Sequence, residues 1–460
     1  MKSMKKLTIL LLILSVLLVP LFTACGNSKA NGDEELEDET AVVKEDTPVV
    51  HKVGFIYRET IKDSVHNAIW ESARVQVERN LGVETCYVEN VLVVNFREAV
   101  DLLVDDGATV IVSTSDSFAK SLETVSMHYR DINFISFGGE STRINLTTFS
   151  PLLYQPANVN GLVAALNSRT GSVGVVADSR MFNCAGIINA YIEGARLGFG
   201  PHFSVYVNYA MSGNKEDIER AIDDLVSKGN DTIMLYLSTD YGIKYCEEIG
   251  VRVIAYSPNL PELAPNTYMT GFFFNVDSYI TEQVRFIQNE SLLPSNTRGD
   301  MASGHVRPIQ LNPNEQIVSY ETKSLADVLY LAVKNNDGVF KGEIVDNQGQ
   351  VQVRHGVTLT YREVFKIEWL DFSVGNRVGR FSEPIDELRF VPLIVVQGDY
   401  VAPIIPVEDD DEDEAETTAT TTTADNITSA ELETTAEIAD TTNAVNAETT
   451  VTVAETDLER

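Results

Sequence analysis

KVGFIYRETIKDSVHNAIWESARVQVERNLGVETCYVEN, Lys52–Asn90, decides the fold. KVGFIY is an unbroken apolar run too short for a stable helix, and it reads as a buried strand. HNAIWESARVQVERNLG then carries apolar residues at helical spacing and stops at Gly82, which serves as a C-cap. ETCYVENV is a second strand. A strand, a helix and a strand within forty residues make a crossover unit, so the two strands run parallel and the helix covers a face of their sheet. Asp63 or Ser64, standing just before the helix, either caps it through a side-chain oxygen or rims a binding site, and both readings stay open.

The same grammar continues in both directions. FREAVDLLVDDG is a second helix, TVIVSTS a third strand, Phe118 to Tyr129 a third helix and INFISFGG a fourth strand. After a connection through NLTTFSPLLYQPANVNGLVAALNS it starts again: SVGVVADS, CAGIINAYIEGARLG, FSVYVNYA, KEDIERAIDDLVSKG, DTIMLYLST, GIKYCEEIG and VRVIAYSP. The expectation is an α/β chain with two doubly wound parallel-sheet lobes, the first over about residues 50–165 and the second over about 170–265, with shared elements and a crossover in 266–376. Within the shared part, YITEQVRFIQNE reads as helix, and HVRPIQLN and VQVRHGVTLT as strands. The apolar, Pro-rich stretch 377–405 is expected to pack on the second lobe. Residues 26–49 form an acidic tether, and 406–460, nearly free of aromatics, a disordered acidic Thr-rich tail.

Charge excludes several partners. The net charge of −33 is concentrated in DEELEDET and in EDDDEDEAE and the segment after it, leaving a mildly acidic folded middle. Without clustered Lys and Arg there is nothing to neutralise phosphates, so no nucleic-acid partner is expected. The leader, MKSMKKLTILLLILSVLLVPLFTAC, has a basic start and an apolar core from Leu7 to Val19, shorter than the roughly twenty residues that span a bilayer. Its Thr-Ala-Cys ending before Gly26 resembles a bacterial lipobox, with Phe22 where Leu is usual. That resemblance implies a signal peptide over 1–25 and a lipid on Cys25; the alternative is a plain secretory leader with an incidental cysteine. Cys86, Cys184 and Cys246 are expected as buried free thiols, being odd in number and in no CxxC spacing. Six scattered histidines support no metal site, and the chain carries no GxSxG, P-loop or GxGxxG. Neither an enzyme nor a cofactor is expected.

In open sheets of this class ligands sit beyond the carboxyl ends of the strands. That rule picks out Tyr57 after the first strand, Ser115, Asp116 and Phe118 after the third, and Phe137 after the fourth. In the second lobe it picks out Asp178, Ser238, Asp240 and Tyr256. Each could equally cap a helix or dress a loop.

KVGFIY, ERNLGVETCYVENV, NGLVAALNSRTGSVGVVAD, INAYIEGAR and GVFKGEIVDNQGQVQVRHGVTLTYREVFKIEWL together resemble the basic membrane protein family, lipid-anchored substrate-binding proteins of ABC importers related to purine nucleoside receptors. The likeness spans about Lys52 to Gly375. It implies a type I periplasmic-binding-protein fold with a hinge and three crossovers, a nucleoside-like solute held between lobes, permease subunits as partners, and attachment to the outer face of the bacterial cytoplasmic membrane. In the family the first loop reads Asp-x-Ser-Phe-Asn before a Trp-Glu pair. Aligning Trp70-Glu71 places Lys62, Val65 and His66 at the Asp, the aromatic and the Asn, and keeps only Ser64; a shift of one residue restores Asp63 and Asn67 as polar contacts. Near Met211–Asn214 the family's aromatic is absent and Tyr209 is the nearest substitute, and Phe272–Phe274 stand where a family lysine falls. A polar solute other than a nucleoside therefore stays open. So does a sensor or adhesion lipoprotein that keeps the fold without import, which the Thr-rich acidic tail motivates.

Overall fold

In a computed structural model, residues 50, 52–211, 213–289, 295–336, 338–382 and 393–397 are described. The leader with Cys25, the tether, the Thr-rich tail and much of 377–405 lie outside the described residues.

The first half of the chain alternates as β1 (Lys52–Ile56), α1 (Val65–Leu81), β2 (Glu84–Val88), α2 (Phe96–Asp105), β3 (Val110–Ser113), α3 (Ala119–Val125), β4 (Asn133–Phe137) and β5 (Leu146–Pro151). The second runs α4 (Tyr154–Asn167), β6 (Ser172–Ala177), α5 (Cys184–Phe199), β7 (Ser204–Tyr209), α6 (Lys215–Ser227), β8 (Thr232–Tyr236), α7 (Tyr241–Glu248), β9 (Arg252–Tyr256), α8 (Leu260–Leu263) and β10 (Tyr268–Phe274). The shared part holds α9 (Asp277–Gln288), β11 (Asn296–Gly299), β12 (Val306–Pro308), α10 (Tyr320–Asn335), β13 (Lys341–Val345), β14 (Val351–Thr358), α11 (Tyr361–Val364), β15 (Val378–Arg380) and β16 (Val396–Gln397).

Two seven-stranded sheets result, ordered β11-β5-β4-β3-β1-β2-β16 and β12-β10-β9-β8-β6-β7-β15. Strands β1 to β5, and again β6 to β10, are parallel neighbours. Helices lie on both faces, so the central strands bury every residue: VIVS in β3 and SVGVVA in β6 face no water. This is why they read as continuous apolar runs rather than as alternations. Ser64 is the cap of α1, its hydroxyl accepting from the Asn67 amide at 3.3 Å. Asn214 does the same for α6 from the Asp217 amide at 2.9 Å, with Glu216 and Asp217 in the first turn to meet the helix dipole.

The chain passes between the lobes several times. After Pro151 the chain leaves the first sheet, and α4 packs on α5 at the second, so the change of lobe falls near 151–154 rather than near 165. From β10 the chain returns through α9, which packs on α1, into β11 beside β5; β12 then rejoins the second sheet antiparallel to β10. The crossing of α4 and α5 is close enough to demand glycine: a Cβ on Gly161 would lie 1.9 Å from the Tyr191 carbonyl oxygen, and one on Gly194 would lie 1.7 Å from that of Asn158. The expected strands in HVRPIQLN and VQVRHGVTLT are β12 and β14, which pairs with β13 as a separate hairpin. The C-terminal stretch divides between lobes. β15 extends the second sheet beside β7, and β16 adds to β2 of the first. There Asp106 holds it, accepting from Gln397 Nε2 at 2.5 Å and from Lys52 Nζ at 3.1 Å.

Candidate ligand-binding cleft

Every wall of the interlobe cleft stands at or beyond the carboxyl end of a strand. The first lobe contributes Arg58 and Glu59 after β1, Ser64, His66 and Asn67 at the start of α1, Ser115 and Asp116 after β3, and Phe137 ending β4. The second contributes Asp178 and Arg180 to Phe182 after β6, Tyr236 ending β8, Ser238 after it, Tyr256 ending β9 and Phe274 ending β10.

Rings from the two lobes meet across the cleft. The His66 ring lies 5.0 Å from Phe137 and 5.4 Å from Phe274, and those two phenylalanines stack at 5.5 Å. Phe182 adds an edge 5.0 Å from Phe137, and Trp70 backs Phe137 edge-on at 5.7 Å. Such arrangements set a positive ring edge against a negative face. The His66 ring is held from three sides: its Nε2 lies 2.6 Å from the Thr114 carbonyl oxygen and 3.2 Å from the Trp70 indole Nε1, and its Nδ1 lies 3.4 Å from the Tyr256 hydroxyl of the other lobe. Burial pulls its pKa down to about 4 against the Thr114 hydrogen bond, which favours the cation, and the ring is neutral at pH 7.

A second bond spans the lobes: the Val65 amide donates to the Ser238 carbonyl at 2.7 Å. The helix that opens the first lobe is thus bonded to the second. The space left between the lobes is about 50 Å³, against roughly 300–1,000 Å³ for small-molecule sites. Any solute larger than a few waters enters by parting the lobes or turning the rings.

The charges are arranged differently on the two sides. Asp178 is neutralised in place, accepting from the Arg180 amide at 2.9 Å and from its Nη2 at 2.6 Å, while the same guanidinium also reaches the Met211 carbonyl. Asp116 has no such clamp. Burial raises its pKa, the Arg58 charge opposing, and it is pressed against Gly138, where a Cβ would lie 2.7 Å from its own Cβ. The cleft therefore offers flat apolar faces and three carboxylates, of which Asp178 is paired to arginine while Asp116 and Glu59 are not.

Of the thirteen positions proposed from the sequence, eight line the cleft: His66, Asn67, Ser115, Asp116, Phe137, Asp178, Ser238 and Tyr256. Five lie elsewhere. Tyr57 is buried and donates to Glu71 at 3.0 Å. Asp63 is exposed and takes the Thr60 hydroxyl. Phe118 is in the first-lobe core, stacked on Phe96 at 4.9 Å. Tyr209 packs against the central core, and its carbonyl receives the Phe381 amide. Asp240, at the start of α7, is turned to Ser257 and Asn259. The sequence reading missed Arg58, Glu59, Arg180, Met181, Phe182 and Tyr236, and it noted Phe274 only as a departure from a pattern. Among the described residues no cluster of His, Cys, Asp and Glu could hold a metal, and Cys86, Cys184 and Cys246 are buried and free.

A family model described as Bmp, ABC transporter substrate-binding protein PnrA-like, matches residues 50–323. A purine-binding protein of Brucella abortus (strain 2308) is 23% identical over 315 residues, covering 66% of this chain and 87% of that protein. Among solved structures, a transcriptional activator of the comK gene from Bacillus halodurans superimposes with a TM-score of 0.53 at 21% identity, covering 62% of this chain and 98% of that one. The ABC transporter system solute-binding protein from Aeropyrum pernix K1 gives 0.53 at 13% identity, covering 64% and 92%. The structural likeness agrees with the two-lobed topology: the fold is the type I periplasmic-binding-protein fold.

Proposed function

We propose, from the premise that this chain belongs to the Bmp family of PnrA-like ABC transporter substrate-binding proteins, that it captures a purine nucleoside or a similarly flat, hydroxylated solute between its lobes and presents it to an ABC permease. The observation that carries this reading is the meeting of Phe137, Phe182 and Phe274 from opposite lobes beside the unclamped carboxylate of Asp116. A heterocyclic base would replace the ring-to-ring contacts, and sugar hydroxyls would donate to Asp116. Because the rings and carboxylates come from both lobes, solute binding favours the closed arrangement by contacts that an open one lacks. The family is extracytoplasmic, and no described helix is long and apolar enough to cross a membrane. Retention at the outer face of the cytoplasmic membrane would then depend on a lipid at Cys25.

Thermal-shift titration of the full chain with adenosine, guanosine and inosine tests the solute. A ligand at a thousand times its Kd stabilises by about 4 kcal/mol, a shift of several degrees. Phe182→Ala and Asp116→Asn should each weaken that binding about tenfold while leaving the unliganded melting point nearly unchanged. No shift with any nucleoside or base overturns the solute class. Cys25→Ser should move the protein from membranes to the medium; retention would remove the lipid anchor from the proposal.

A second reading, a ligand sensor or adhesin without import, is favoured by the tightness of the cleft, whose walls leave only about 50 Å³. Radiolabelled nucleoside uptake in a strain deleted for this chain separates the two, since uptake falls only under the import reading.

A further inference from the structure

A cavity of about 510 Å³ opens on the second lobe between α4, the β10–β12 edge of the sheet and α10, and it shares no wall residue with the cleft. Its volume falls within the range of small-molecule sites. Most of the wall is apolar, with Ile309, Leu311 and Ala326 among its residues, and Tyr330 stands half-buried at the mouth. Of the polar wall residues, Gln310 and Asp327 are exposed and Lys323 donates to the Pro313 carbonyl, but one buried side chain stands apart. Asn160, in the middle of α4, is fully buried, and neither its Nδ2 nor its Oδ1 has a hydrogen-bond partner.

Its neighbours show how unusual that is. Asn158, two residues earlier on the same helix, donates to the Ala190 carbonyl at 3.1 Å. Thr270, in the same wall as Asn160, donates to the Ile309 carbonyl at 2.8 Å. Buried amides are nearly always bonded, because each unmet donor or acceptor forfeits its bond to water. An amide left unmet at both ends, beside a cavity large enough for a ligand, is free to take its partners from outside the chain.

We propose that this cavity is a second small-molecule site, which takes a planar heterocycle carrying a hydrogen-bond donor beside an acceptor on one edge, as nucleobases and cyclic amides do. The carboxamide of Asn160 offers one donor and one acceptor in a single plane and pairs with such an edge at both atoms. The ring of Tyr330 covers the heterocycle at the mouth, and the aliphatic wall takes its far side. This site is additional to the cleft and does not depend on what the cleft binds.

Crystals of the full chain soaked with 8-bromoadenine test it, since anomalous scattering locates the bromine directly. The expected result is a bromine peak in the cavity beneath α10 that persists in Phe182→Ala, a variant of the cleft alone. Asn160→Leu is of similar size and removes an unmet amide, so it should melt no lower than the parent; it should lose two hydrogen bonds to the probe and with them about tenfold in affinity by calorimetry. Tyr330→Ala, at the rim, should weaken binding without disturbing the packing of α4. Bromine found only in the cleft, ordered water alone on Asn160, or equal affinity in parent and both variants would each overturn the proposal.

Discussion

Both lobes place a glutamate and an arginine three residues apart on the helix that follows their first strand, and the two pairs do different work. In the first lobe, Arg74 is fully buried and Glu71 meets it at 2.6 and 2.8 Å, with Tyr57 donating to the same carboxylate. In the second, Glu193 lies 3.5 Å from Arg196, and Arg196 turns instead to both oxygens of Asp371 at 2.7 Å, binding the segment that follows α11. Identical spacing gives a lock inside one lobe and a clamp on a distant segment in the other. What differs is burial: a guanidinium removed from water must be satisfied locally, while one left one-third exposed can reach outward.

The most severe test of that contrast is Glu71→Ala, which leaves the Arg74 charge buried without its partner. It should cost about 3–5 kcal/mol in denaturant unfolding. Gly194→Val addresses the second lobe, where the α4–α5 crossing has no room for a Cβ. Overpacking against backbone, which cannot move aside as a side chain can, should cost about 3 kcal/mol and leave the first lobe's local opening, followed by hydrogen exchange, unchanged.

The pH dependence of stability sharpens the comparison further. Burial lowers His66 in the first lobe to about 4 from 6.5, so the unfolded chain binds a proton there that the native chain does not, and stability is lost as pH falls from 6.5 towards 4. Burial raises Glu193 in the second lobe to about 7 from 4.5, Arg196 opposing, so the native chain holds the extra proton and stability is lost as pH rises from 4.5 through 7. The two slopes oppose each other in the parent. His66→Phe should expose the fall towards neutral pH, and Glu193→Gln the rise, each by roughly 2 kcal/mol across its window in urea unfolding series. The smallest expected effect is at the seam between β2 and β16. Asp106→Asn weakens a partly exposed ion pair with Lys52, and a loss of less than about 1 kcal/mol in thermal melts is expected.

The alternation of apolar runs and amphipathic segments was enough to read the two sheets, because a strand buried on both faces has no other way to be written. The site was readable only as far as the strand-end rule goes. It finds Asp116 and Tyr256 because they follow strands directly. It fails for Phe118, whose short helical turn rotates the ring into the core beside Phe96, and for Tyr57, whose side chain turns towards α1 and is taken by Glu71. Phe182 and Phe274 were not readable as partners of Phe137, since nothing local tells that the end of β10 in the second lobe will come against the end of β4 in the first. Nor was the departure of β16 to the first sheet, which depends on Asp106 and Lys52, far away in sequence, being there to receive Gln397.

The crossings also order events in time. Strands β6 to β10 of the second lobe leave the ribosome as one unbroken stretch, and only the short β12 and β15 follow. The first lobe starts earlier yet cannot complete its sheet until β11 and then β16, close to the end of the described chain, have emerged. During synthesis the outer edges of β5 and β2 wait bare, and unpaired edges are where chains stick to one another. The lobe begun first is finished last, and any chaperone serving this protein has most to protect along those two edges.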